Sequence, residues 1–289
     1  MLLAASIRFP HLGINIEKLP KSITVLGFEI AFYGIIIAIG MALAMTIIFK
    51  EVKRTGKSED YYYDLAIFAI IFGIIGARMY YVIFEWEQYR HNLLSVFNIR
   101  EGGLAIYGGL IAGTITTCVF CKIKKMSIPQ VLDTIILGII IGQILGRWGN
   151  FFNREAFGGF TDNLFAMQIR YDEVGGVISE SLEKHIQIVD NAKYIQVHPT
   201  FLYESVWNLI LFVVMMLMRK HKKFQGEIAC IYLIGYGVGR FFIESLRTDQ
   251  LTLWETGIAV SQIVSGVIIL IGVSFGGYEL WRMKSGQQK

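Results

Sequence analysis

The chain has 289 residues, 54% of them hydrophobic and 17% charged, with a formal net charge of +4 and a mean hydropathy of +0.51. This composition excludes an ordinary soluble domain of that size, and so modest a positive charge gives no argument for a nucleic-acid partner. The chain therefore reads as an integral membrane protein.

Residues 1–22 hold a short apolar patch, then Pro10, scattered charges and Pro20, without the charged–apolar–small order of a cleavable signal. They are expected to lie outside the first span, at the interface. Seven apolar runs follow that are long enough to cross a bilayer as helices: 27–49, 61–84, 103–121, 128–145, 199–218, 227–243 and 257–275. The expected fold is an all-α membrane protein of seven transmembrane helices, a single polytopic domain over 1–289. Residues 160–197, acidic and without a span-length run, form an external subdomain between spans four and five. Cys118, Cys121 and Cys230 sit in or at the end of apolar runs and read as packing residues, not as a disulfide framework or a metal site.

Basic residues set the orientation. Lys50, Lys53, Arg54 and Lys57 follow span one, Lys122, Lys124 and Lys125 span three, Arg219, Lys220, Lys222 and Lys223 span five, and Arg282, Lys284 and Lys289 end the chain. These alternate loops are expected to face the cytoplasm, with the N-terminus outside and the C-terminus inside.

At a rise of about 1.5 Å per residue, this orientation puts Tyr33, Arg78, Tyr107, Arg147, Arg240 and Glu244 at one depth, the outer third of the membrane. Each has a plain structural reading. Arg78 can snorkel to the interface, and Arg240 with Glu244, four apart on one helix face, can be an ion pair. Taken together, several arginines at one level of a water-poor site suit an anion. Guanidinium matches phosphate by bidentate hydrogen bonding, and at this depth the phosphate belongs to a phospholipid head group.

The densest polar segment is GRWGNFFNREAFG at 146–158, where Arg147, Asn150, Asn153, Arg154 and Glu155 follow an apolar run. Together with GGLAIYGGLIAG at 102–113, HPTFLYES at 198–205 and GRFFIESLR at 239–247, it resembles the bacterial prolipoprotein diacylglyceryl transferase family over nearly the whole chain. The resemblance implies an enzyme of the bacterial cytoplasmic membrane. Its partners would be phosphatidylglycerol, a prolipoprotein signal segment and membrane lipids. It would move the diacylglyceryl group of the lipid onto the lipobox cysteine thiol, form a thioether and release glycerol phosphate, with no metal or organic cofactor.

Carried over by position, Arg147 matches the family's signature arginine for phosphatidylglycerol, and Asn150, Glu155 and Gly158 match its other signature residues. Arg240 and Glu244 match the arginine and glutamate of the sixth span, Tyr33 a functional tyrosine of the first, and His198 opens the HP…LYE motif. Gly108 and Arg247 are counted with the substrate-binding residues. One position departs from the pattern, because Tyr107-Gly108-Gly109 stands where members have a histidine and two glycines. The family's proposed base for the thiol is that imidazole, whereas a phenol with a pKa near 10 is protonated at neutral pH. Tyr107 is thus expected to donate a hydrogen bond to substrate, leaving Glu155, Glu244 and His198 as proton acceptors. Their structural alternatives are that Glu244 orients Arg240, that Glu155 orients Arg147 or Arg154, and that His198 caps the helix after Pro199. A non-catalytic phospholipid binder, or a lipid transferase with another acceptor, is the alternative function.

Overall fold

The computed structural model describes residues 5–99, 102–253 and 257–286. Among the described residues, six helices are long and apolar enough to cross a membrane: α1 (Phe32–Arg54), α2 (Glu59–Phe84), α4 (Ile106–Ile123), α5 (Ile128–Asn153), α7 (Thr200–Met218) and α9 (Val260–Lys284). Two short helices, α3 (Trp86–Tyr89) and α6 (Glu180–Glu183), lie in connections. The sixth apolar run forms α8 (Glu227–Glu244), whose Glu227, Arg240 and Glu244 set it apart from the other helices by composition.

Helices are what such runs must form, since an apolar solvent satisfies no backbone N–H or C=O and the helix satisfies them internally. Large apolar side chains such as Ile67, Ile111, Leu217 and Leu270 remain exposed. Apolar faces of that extent belong against lipid, which makes this a multi-pass membrane protein. α5 is longer than its apolar run because it continues through Arg147 and Asn150 to Asn153, so the first half of the polar signature is helical.

The expectation of helices alone fails outside the spans. An antiparallel sheet has the order β2-β1-β5-β7-β6, with β1 at Ile7–Phe9, β2 at Ile14–Ile16, β5 at Met167–Arg170, β6 at Gln187–Val189 and β7 at Ala192–Val197. Residues near the N-terminus are therefore strands of the sheet, not an isolated interfacial segment: Ile7 pairs with Ile169 and Arg8 with Gln168. The alternation of the strands turns Ile7, Phe9, Met167, Ile169, Ile195 and Val197 into one core with Phe151, Phe157 and Phe201. A separate hairpin, β3 (Ser22–Val25) and β4 (Phe28–Ala31), leads directly into α1. Its two-residue turn has positive φ at both Leu26 and Gly27, the combination that matches the twist of paired strands.

The chain divides into two units, one of residues up to Ile47 with those from Ile135 onward, the other Ile48–Thr134. Within the second, α4 crosses α2 closely. A Cβ on Gly108 would lie 2.4 Å from the Gly76 carbonyl oxygen and from Tyr80 Cβ, so glycine is what lets the backbones approach. Within the first, α8 packs on α9 in the same way, with Gly237 against Ser265 and Ile269.

Candidate active site

In the first unit, the polar residues of the apolar runs meet in one alternating chain of charge. Arg147, two turns before the end of α5, places Nη2 at 2.7 Å from Glu204 Oε1. Glu204, in the second turn of α7, gives its other oxygen to Arg240 Nη1 of α8 at 2.9 Å. Arg240 Nη2 in turn lies 2.6 Å from Glu244 Oε2 on its own helix. Glu244 Oε2 is 3.9 Å from Arg247 Nε, and Arg247 Nη2 is 2.7 Å from Asp249 Oδ2.

Glu204 is only 2% exposed and Glu244 4%, so this network is screened little by water. Buried carboxylates are tolerated because each is paired. Arg147 keeps 22% of its side chain accessible, which leaves one edge of the cluster open.

The backbone holds these elements in register at Gly158. Gly158 N donates to His198 O at 3.0 Å, His198 N to Gly159 O at 3.0 Å, and Gly159 N to Leu246 O at 2.9 Å. Three motifs far apart in sequence are thus tied where 158 crosses between 198 and 246. A Cβ at 158 would stand 2.7 Å from His198 Cβ and 2.8 Å from the Leu246 carbonyl oxygen, so only glycine permits the crossing. Tyr33, at the start of α1, lays its ring over Gly149, where a Cβ would sit 2.4 Å from the ring. It therefore packs in the same stretch of α5 that carries Arg147 and Asn150.

Other assignments from the sequence change. Glu155 orients neither Arg147 nor Arg154: it accepts from Asn150 Nδ2 at 3.0 Å and from Asn153 Nδ2 at 3.1 Å. Arg154 instead donates to the carbonyls of Leu19 and Glu173 at 2.6 and 3.0 Å. His198 makes no side-chain cap on α7. Its Nδ1 faces the Tyr203 hydroxyl at 3.4 Å, and burial pushes its imidazole below the ordinary value, so it is neutral at pH 7.

Arg78 is not part of an anion-binding cluster. Its guanidinium donates to the carbonyls of Ser95, Val96, Asn98, Gly102 and Gly103 at 2.7–3.1 Å. These partners are backbone oxygens of a connection whose path the sequence does not reveal. Tyr107 and Gly108 lie in the first turn of α4 in the second unit.

The residue that the sequence reading passed over is Glu204. It stands inside the 198–205 motif and is the one carboxylate in the apolar run 199–218, which was the available signal. Leu202, Tyr203, Val206, Trp207 and Ile210 of α7, with Phe165, line an apolar cavity of about 400 Å³.

This polytopic membrane protein draws two partly buried arginines from separate helices onto one buried carboxylate. The family follows from comparison. The description "Prolipoprotein diacylglyceryl transferase" belongs to a family model that matches residues 20–278. The chain is 42% identical over 250 residues to a phosphatidylglycerol–prolipoprotein diacylglyceryl transferase of Clostridioides difficile strain 630, covering 86% of this chain and 91% of that one. Its likeness to the protein of the same name from Clostridium botulinum strain Langeland is 40% over 259 residues, 89% and 95% of the two chains. For that of Listeria monocytogenes serotype 4b it is 37% over 273 residues, 94% of each. The chain belongs to the prolipoprotein diacylglyceryl transferase family.

Proposed function

We propose that this protein transfers the diacylglyceryl group of phosphatidylglycerol to the lipobox cysteine thiol of prolipoproteins and releases glycerol phosphate. The observation that carries the reading is the convergence of Arg147 and Arg240 on the two oxygens of one carboxylate. Two guanidiniums set to grip two oxygens of one anion will grip two oxygens of a phosphate in the same way.

In the reaction the cysteine sulfur attacks the glyceryl carbon that bears the phosphate ester. The S–C bond forms as the C–O bond breaks, and charge grows on the departing phosphate. Arginines already in place in a largely buried cluster stabilise that charge. The apolar cavity beside Tyr203 and Trp207 is suited to an acyl chain of the same lipid.

In this reading α8 is also a span, the sixth of seven in chain order, its charges tolerated because they are paired. Residues 160–197 form the external subdomain, joined there by β1 and β2. The N-terminus faces outside, the C-terminus the cytoplasm, and the site opens to the outer leaflet. The basic loops support that orientation.

Tyr107 acts as a hydrogen-bond donor, not as the base. Tyr107→Phe therefore retains at least a tenth of the wild-type rate, since one neutral hydrogen bond is worth about 0.5–1.5 kcal/mol. Complete loss with lipid binding intact, or a gain in Tyr107→His, contradicts this role. The function itself is tested by glycerol phosphate release from phosphatidylglycerol micelles, with a lipobox peptide carrying either cysteine or serine. Release that requires the cysteine, with a diacylglyceryl mass gain on the peptide, is expected. Lipid binding without release makes the protein a non-catalytic phospholipid binder.

A further inference from the structure

We propose that Glu204 is the proton acceptor for the substrate thiol, freed from its two arginines when the lipid phosphate takes its place between them. The inference rests on the transferase reading above. Position 107 is a tyrosine, a phenol that is protonated at neutral pH, and the other groups that could accept the proton are occupied. Glu155 holds two asparagine amides. His198 faces the Tyr203 hydroxyl. Glu244 sits four residues from Arg240 on the same helix and stays beside it as an orienting partner.

Glu204 differs in position and in commitment. It comes from α7, faces Arg147 of α5 on one oxygen and Arg240 of α8 on the other, and so occupies the space that a phosphate gripped by both arginines must enter. Its surroundings also contain Glu244 and Arg247, and Tyr232 of α8, whose hydroxyl accepts from Gln143 Nε2 at 2.8 Å.

The charge balance leads to the same assignment. Arg147, Arg240 and Arg247 are matched by Glu204, Glu244 and Asp249, so the cluster is neutral before substrate arrives. Adding a phosphodiester leaves one excess negative charge in a buried site, which favours a carboxylate there taking up the thiol proton as the sulfur lone pair is consumed in the S–C bond. The displaced Glu204 has lost both guanidiniums and is the carboxylate that stands at the phosphate.

In the step itself, the thiol proton passes to a Glu204 oxygen, the sulfur lone pair forms the S–C bond, and the C–O bond pair leaves with the phosphate. The proton is then handed to the leaving phosphate oxygen, which departs as glycerol phosphate, and Glu204 returns to Arg147 and Arg240.

The test uses the full-length protein in phosphatidylglycerol micelles with lipobox peptides carrying cysteine or selenocysteine, whose selenol is ionised at neutral pH and needs no base. With cysteine, the wild-type rate varies less than threefold between pH 7 and 9. Glu204→Gln is slower by at least tenfold at pH 7 and climbs about 25-fold to pH 9, following the ionisation of a thiol with a pKa near 8.5. With selenocysteine the two proteins differ by less than threefold. A carboxylate that merely orients the arginines predicts equal losses with both peptides and no recovery at high pH, which overturns the proposal. So does a Glu204→Gln rate equal to wild type.

Should Glu204→Gln fail to fold, the wild-type profile decides. A cysteine rate that itself climbs with thiolate shows that no base operates. A flat one requires Glu204→Asp, which keeps the carboxylate, to be flat as well. Absence of any cysteine-dependent release by the wild type refutes the transferase reading, a result separate from all of these.

Discussion

Arg147→Ala lowers diacylglyceryl transfer by about 10²–10³-fold, the loss expected when one preorganised donor to a developing anion is removed. Its side chain reaches Glu204 from the accessible edge of the cluster, so the protein remains folded and the loss lies in turnover. Arg240→Ala is more severe. Arg240 joins Glu204 to Glu244, and its removal leaves two buried carboxylates short of their partner. Breaking a buried pair in this way costs about 3–5 kcal/mol. Loss of activity is thus accompanied by a lower melting temperature in detergent. Lysine at either position restores charge but not the two-pronged geometry, so Arg147→Lys and Arg240→Lys recover less than a tenth of the activity. Equal melting temperatures for Arg147→Ala and Arg240→Ala would contradict the different roles assigned to them.

Arg78→Ala is the second large effect, and it is structural. The Arg78 guanidinium gathers five carbonyls between Ser95 and Gly103 and is 7% exposed. Hydrogen bonds to a charged donor contribute about 1.5–3 kcal/mol each net of water, and five made by one group do not add in full. A net loss of about 3–5 kcal/mol follows, at the upper end for single substitutions. The guanidinium also lies over the Tyr89 ring, 5.1 Å from its centroid, and alanine forfeits that cation–π attraction as well. Because Gly103 leads into α4, hydrogen exchange in 93–99 and 102–107 rises first. Exchange unchanged there, with a native melting temperature, would show that Arg78 does not clamp this connection. The sheet formed by β1, β2, β5, β6 and β7 is unaffected in either case.

The spans and the site were legible to different depths. Long apolar runs give helices for a reason that sequence carries in full, the absence of water to satisfy the backbone. The ends were less visible: α5 runs on to Asn153 because Arg147 and Asn150 gain partners in three dimensions. The sheet was hidden because its strands are three to six residues long. Ile7–Phe9 pairs with a segment about 160 positions away, and pieces so short carry too little alternation to announce a partner.

At the site, the arginines declared themselves as costly charges in apolar runs. The pairing of Arg240 with Glu244 was readable from a spacing of four residues. The pairing of Arg147 with Arg240 through Glu204 was not, since the three lie on separate helices. A lone carboxylate in the run 199–218 implied a buried cation nearby without saying which. Arg78 shows the converse, a charge whose partners are backbone oxygens and so leave no mark on the side-chain pattern.

The central claim is that Arg147 and Arg240 hold the phosphate of the lipid. Its most direct test is ³¹P NMR of the protein in phosphatidylcholine nanodiscs titrated with phosphatidylglycerol. The wild type is expected to give a saturable, shifted phosphatidylglycerol resonance that is absent in Arg147→Ala. Glu204→Gln, which leaves both guanidiniums free to bind, retains it. The same saturable resonance in Arg147→Ala as in the wild type would contradict the claim.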